Sequence, residues 1–208
     1  MYFSNFNNKI TYSNEWGGVL HVCGEGTVVK EDTSVSPGSF KDLLEYKTLQ
    51  FDQGITSVGA GFIEKFKDVH CLIICRSVKS IGVSVELRSM LGRNSVLVRG
   101  WKGTFAERFA SENGLLFRQA DIMIGWSHGD YCNTKLTLRF PEKGGPYFEY
   151  DDYCSGISAG NNGGGTYTRE IEKGFFDGMS LAAFAECLPR FSGPILKNAD
   201  LDWFLKHR

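Results

Sequence analysis

His128, Asp130 and Cys132 fall within one short stretch, and Cys154 follows later in the chain. An imidazole, a carboxylate and two thiols are the groups that ligate zinc or that turn a cysteine into a nucleophile. A structural zinc site takes four ligands at short, regular spacings. Only one loose local pair stands here, so ordinary polar loop residues account for the group more simply. As a nucleophile, Cys132 or Cys154 would need His128 as its base and a third group to orient that base, a requirement in space that sequence spacing does not show. His70, Cys71 and Cys75 are weaker ligand candidates because they fall in a strand and the turn after it. Cys187 reads as a small hydrophobe on a helix. The pair Asp151-Asp152, following Glu149, lacks the alternating oxygen ligands and glycine of a calcium loop, and a solvated turn explains it.

The run Gly156-Ile-Ser-Ala-Gly-Asn-Asn-Gly-Gly-Gly165 carries backbone N–H groups that could cradle an anion. No Gly-Lys-Ser/Thr follows it, and no Gly-x-Gly-x-x-Gly opens a helix after a strand, so it reads as a connection. The expectation is therefore no catalytic residue, no cofactor and no metal.

The elements that would position these residues must come from a chain of 208 residues, 42% hydrophobic and 13% aromatic, long enough to bury one generous core or two small ones. Lys plus Arg number 23 against 24 Asp plus Glu, for a net charge of -1, which supplies no global field for nucleic acid or an anionic membrane. No basic start with an apolar run opens the sequence, and no stretch of about 18 apolar residues occurs. With six scattered cysteines and no Cys-x-x-Cys, the chain reads as a cytoplasmic protein with reduced thiols.

Two segments superpose at an offset of 23 residues, from Leu49 to Leu72. Tyr46, Leu49, Phe51, Ile55, Val58 and Gly59 match Val69, Leu72, Ile74, Val78, Ile81 and Gly82. Matched apolar anchors at a constant period are the mark of a repeat architecture. Strand alternation points Leu49/Phe51 and Leu72/Ile74 inward, and Thr48/Gln50 and Cys71/Ile73 outward. Short helical or irregular returns are expected over 60–67 and 83–90. A third rung is expected at Ser95-Val96-Leu97-Val98, slipped by one residue, with Ser95 and Leu97 outward.

Ile55-Thr-Ser-Val-Gly59 and Val78-Lys-Ser-Ile-Gly82 resemble the signature of BspA-type leucine-rich repeats, found in bacteria and some protists. Gly17–Gly26 resembles an opening rung of that family, and Gly103–Phe117 its closing helix and strand, so the resemblance covers about residues 15–120. Cys75 stands where the family usually has proline, and Gly61-Phe62 and Ser84-Val85 replace its Ala-Phe, so the returns are expected to differ. Thr104 with Glu107 has the spacing of a capping box, and Gly114 suits the end of that helix.

Beyond residue 120 the pattern changes. Leu136–Phe140 and Tyr147–Tyr150 read as a hairpin, Thr166–Glu172 as a third strand, Leu181–Leu188 as a helix capped by Ser180, and Asp200 as the cap of a last helix. The expected fold class is α+β. A short BspA-like leucine-rich-repeat solenoid of two to three rungs, residues 1–120, precedes a small α+β domain, residues 121–208, that packs on or caps it.

The resemblance implies a non-enzymatic intracellular protein-interaction module, in one version an immunity or antitoxin protein that occludes its partner. The expected partner is another protein, neither nucleic acid nor membrane. Gln50, Cys71, Ile73, Ser95, Leu97, Trp101 and Trp126 are the candidate contact residues. A second reading has the 121–208 half covering that outward face. The alternatives are an enzyme with a small site around His128, Cys132 and Cys154, and a structural or adhesive surface repeat protein.

Overall fold

Strand residues that turn alternately inward and outward over four positions, as in Thr48–Phe51 and Cys71–Ile74, satisfy their backbone by pairing and bury one side. The computed structural model describes residues 2–4, 10–15, 18–29, 44–128, 132–141, 143–154, 165–187 and 199–207. Two compact units divide the chain, residues 1–120 and 121–208.

The described residues of the first unit form ten strands: β1 (Tyr2–Ser4), β2 (Thr11–Glu15), β3 (Val19–Cys23), β4 (Gly26–Val28), β5 (Thr48–Phe51), β6 (Ile55–Val58), β7 (Cys71–Ile74), β8 (Ser80–Ile81), β9 (Leu97–Gly100) and β10 (Leu116–Gln119). Among the described residues three helices join them: α1 (Ala60–Ile63), α2 (Val85–Arg93) and α3 (Phe105–Glu112). A seven-stranded sheet runs β1-β2-β3-β5-β7-β9-β10, and a three-stranded sheet runs β4-β6-β8. The first three strands of the large sheet are antiparallel, and the rest are parallel. Each 23-residue unit thus contributes one strand to each sheet.

The units are tied by bonds that recur at equivalent places on successive strands. Gly59 N–H donates to Val28 O at 2.8 Å, and Gly82 N–H to Val58 O at 2.8 Å. Ser57 and Ser80 hydroxyls meet at 2.8 Å. Between the sheets lie Leu20, Val22, Leu49, Phe51, Leu72, Ile74 and Val98 from the large sheet, with Val28, Ile55, Val58, Val78 and Ile81 from the other side, all buried. Phe62, fully buried, stacks on Tyr12 with ring centroids 6.2 Å apart and meets Phe66 at 5.4 Å. Val85, which aligns with Phe62 in the next unit, is instead 81% exposed, and Leu87 takes the inward place.

The third rung departs from the expected one-residue slip. Leu72 pairs with Val98 and Ile73 with Arg99, a step of 26 residues from Leu72 to Val98. The nine residues of α2, against four in α1, take up the added chain. Ser95, with φ of 49°, sits in the turn that feeds β9 rather than on the strand. Gly100 takes the inward place opposite Ile74, because a Cβ there would lie 2.4 Å from the Ala106 methyl of α3. The capping box expected at α3 does not form. Thr104 Oγ1 donates to Trp101 O at 2.6 Å, while Glu107 accepts from Gly103 N–H at 2.8 Å. Gly114, at φ of +64°, does follow the helix end in the left-handed conformation.

The second unit is a four-stranded antiparallel sheet ordered β11-β12-β13-β14, with β11 (Ile122–His128), β12 (Cys132–Arg139), β13 (Tyr147–Cys154) and β14 (Gly165–Glu170). The sequence pattern did not mark β11, because Ile122, Met123 and Ile124 are apolar in succession and a bulge at Met123/Gly125 breaks the alternation. Helices α4 (Leu181–Glu186) and α5 (Ala199–His207) follow. Ser180 Oγ accepts from Ala183 N–H at 3.1 Å at the start of α4, whereas Asp200 lies within the first turn of α5 and does not precede it. Phe148 packs on Phe175, Phe176 and Phe184 as the centre of this unit's core. Arg139 joins Asp121 at 3.0 Å and Glu149 at 2.5 Å, pinning the start of β11 to β12 and β13.

Phe62→Ala should remove the ring on which Tyr12, Phe51 and Phe66 converge, lowering stability by about 3–5 kcal/mol. The urea midpoint checks this.

Candidate functional site

Because register partners in a sheet share a face, the pairing of the large sheet writes out its outward surface. One row reads Val19, Thr48, Cys71, Leu97 and Leu116. The next reads Ser13, His21, Gln50, Ile73, Arg99 and Arg118. Cys23, Asp52, Cys75 and Trp101 follow these strands by alternation.

At the β3/β5 end the surface is polar and cross-linked. Asp52 accepts from Gln50 Nε2 at 2.8 Å and from Cys23 Sγ at 3.0 Å, and its carboxylate stands 3.2 Å from His21 Nδ1. His21 is only 9% exposed. Burial pushes the Asp52 carboxyl up, but the hydrogen bonds from His21, Cys23 and Gln50, with the His21 charge, outweigh it and hold the group below its ordinary value. Burial, with the Asp52 hydrogen bond and charge behind it, pushes the Cys23 thiol up to about 12. A thiol so held is a proton donor to Asp52 and a poor nucleophile, since the reactive species is the thiolate. Among the described residues no three His, Cys, Asp or Glu side chains are arranged to hold a metal ion.

Toward β9 and β10 the surface turns apolar. Cys71, Ile73 and Leu97 are half-buried, and Leu116, across from Leu97, is 66% exposed. Arg99 and Arg118 stand opposite each other beside this row.

The structure brings Gln50, Cys71, Ile73 and Leu97 onto one face. Leu97 lies across from Cys71 and diagonal to Ile73, whose own neighbour is Arg99, a consequence of the 26-residue step. Ser95 is exposed but belongs to the turn. Trp101 is 2% exposed and has no surface to offer a partner. Trp126 pairs with Lys135 in β11/β12, His128 with Asn133, and Cys132 with Cys154, while their side chains lie outside what is described. Asp130 and residues 156–164 of the glycine-rich loop also lie outside the described residues. Thr134 donates to Asp152 at 2.6 Å and Thr166 to Asp151 at 2.9 Å, so this acidic pair is strand-borne and hydrogen-bonded rather than a turn.

His21, Asp52 and Leu116 were not among the sequence candidates. The step from Leu20 to its partner Leu49 is 29 residues, which hides β3 from a search at 23. Aligning β3 on Leu20-His-Val22 as an inward-outward-inward triplet would have exposed His21.

Asp52→Asn should cost about 1–3 kcal/mol at neutral pH, because it removes a charged acceptor of three bonds. The folded carboxyl titrates below the unfolded one. Its contribution is full above the unfolded value near pH 4 and disappears as pH falls through the folded value, so the wild-type and variant urea midpoints should converge in acid. With its thiol near 12, Cys23 has a thiolate fraction of about one in ten thousand at pH 8 and should resist iodoacetamide in the folded protein. Asp52→Asn should speed that labelling several-fold by mass spectrometry.

No protein-family model matches the chain, and no curated protein matches it. Among solved structures, a leucine-rich repeat protein from Eubacterium ventriosum is similar at 23% identity with a TM-score of 0.31. That likeness covers 39% of this chain, and the chain spans 22% of the length of that protein. A TM-score of this size does not establish a shared fold.

Proposed function

We propose that residues 1–120 form a short leucine-rich-repeat solenoid of the BspA type, and that the protein is a non-enzymatic module binding another protein through the outward face of the large sheet. The observation that carries this reading is the row Cys71, Leu97 and Leu116 with Ile73 beside it, an apolar strip on a face that is mostly polar toward β3 and β5. Apolar side chains gathered in this way mark a contact centre, and the flanking Arg99 and Arg118 suit its rim. On the same face, the functional groups nearest to catalytic types are held in a closed set of hydrogen bonds, with the Cys23 thiol protonated and Asp52 engaged by three donors. That favours a rigid recognition surface over a reacting one.

A narrower version makes the protein an intracellular immunity or antitoxin protein whose outward face occludes a toxin. It rests on the same surface and on the near-neutral balance of charge.

The test is affinity capture from the native host, with wild type beside a Leu97→Asp/Leu116→Asp variant whose circular dichroism and urea midpoint are unchanged. The expected result is one protein recovered in equal amount with wild type and reduced at least tenfold with the variant. Equal recovery with both, or none with wild type, would overturn the assignment. Neutralisation of the captured protein's toxicity decides the narrower version.

A further inference from the structure

Eight consecutive residue pairs join β12 to β13 without a bulge, from Arg139↔Tyr147 to Cys132↔Cys154. The ladder is pinned along its length, by Arg139 to Glu149 at one end and by Thr134 Oγ1 to Asp152 Oδ1 at 2.6 Å two pairs from the other. Cys132, the first residue of β12, therefore stands directly opposite Cys154, the last of β13. Directly opposed residues of antiparallel strands have Cα atoms about 4.5 or 5.5 Å apart, according to whether the pair is hydrogen-bonded. Both values fall within the span of roughly 4.4–6.8 Å that a disulfide bridges.

We propose that Cys132 and Cys154 are an oxidation site, a thiol pair that closes to a cross-strand disulfide when it meets a hydroperoxide. One thiolate attacks the peroxide oxygen and breaks the O–O bond, giving a sulfenic acid and an alkoxide, or hydroxide from hydrogen peroxide, which takes up the proton the thiol lost and leaves as alcohol or water. The second thiolate attacks that sulfur, the S–S bond forms, and the hydroxyl leaves as water after taking up a proton. Two thiols are oxidised to one disulfide, and one hydroperoxide is reduced. A dithiol reverses the reaction by exchange. The bond staples the open end of the β12/β13 pair and constrains the chain that continues past Cys154.

Peptide mapping of the full chain, without reduction, tests this. Protein reduced, freed of reductant and treated with hydrogen peroxide is alkylated and digested with trypsin. Cleavage after Arg118, Lys135, Lys143 and Arg169 puts the two cysteines on separate peptides, 119–135 and 144–169. The expected result is an intact mass lower by about 2 Da, a linked 119–135/144–169 species that dithiothreitol splits, and a matched fall of at least tenfold in alkylation of both cysteines. Alkylation at Cys132 and Cys154 that persists after peroxide, or linkage of either to Cys187 or to a second chain in preference, would overturn it. A Cys132→Ser chain with unchanged circular dichroism should lose the linked species and leave Cys154 unpaired.

Discussion

The first unit depends on the parity of its parallel strands. Leu20, Leu49, Leu72 and Val98 stand in one row although they are separated by 29, 23 and 26 residues, and a slip of one residue at any step would turn the rest of that strand inside out. Variation in spacing is absorbed where it does not touch the strands, in the connection before β5 and in the longer α2. The inner row closes the core, and the outer row, by the same register, aligns Cys71, Leu97 and Leu116 and sets His21 beside Gln50. Core and candidate surface are two sides of one constraint.

Legibility in the sequence followed the same division. Leu49/Phe51 and Leu72/Ile74 could be read because alternation and offset repeat together, and they are the inward pairs of β5 and β7. The third rung was found but misplaced, since nothing in Ser95–Val98 reveals that a nine-residue helix precedes it; Val96 is buried as an approach to the strand, not as part of it. Thr104 illustrates another limit: its spacing to Glu107 suits a capping box, yet its hydroxyl finds Trp101 O first. In the second unit β11 escaped notice because a bulge breaks its period.

The polar end of the outward face was not legible, and the reason is electrostatic as well as topological. Asp52 looks like an unremarkable turn residue until β3 is laid beside β5. Three donors then converge on one carboxylate and hold it low against its burial, while burial, with the Asp52 hydrogen bond and charge behind it, raises the Cys23 thiol. A thiol and an imidazole on one face resemble catalytic parts, and both are bonded to the same carboxylate. The recognition role proposed for this face falls to the apolar end instead, where Leu116 adds exposed surface that Leu97 alone lacks.

Site-specific photocrosslinking in the native host tests the central claim most directly, with a benzophenone amino acid placed either at Thr48, in the outward row, or at Lys79, exposed before β8. The account predicts one discrete adduct with a second protein from Thr48 and none from Lys79. An adduct from Lys79 alone would place the contact on the opposite side and contradict it.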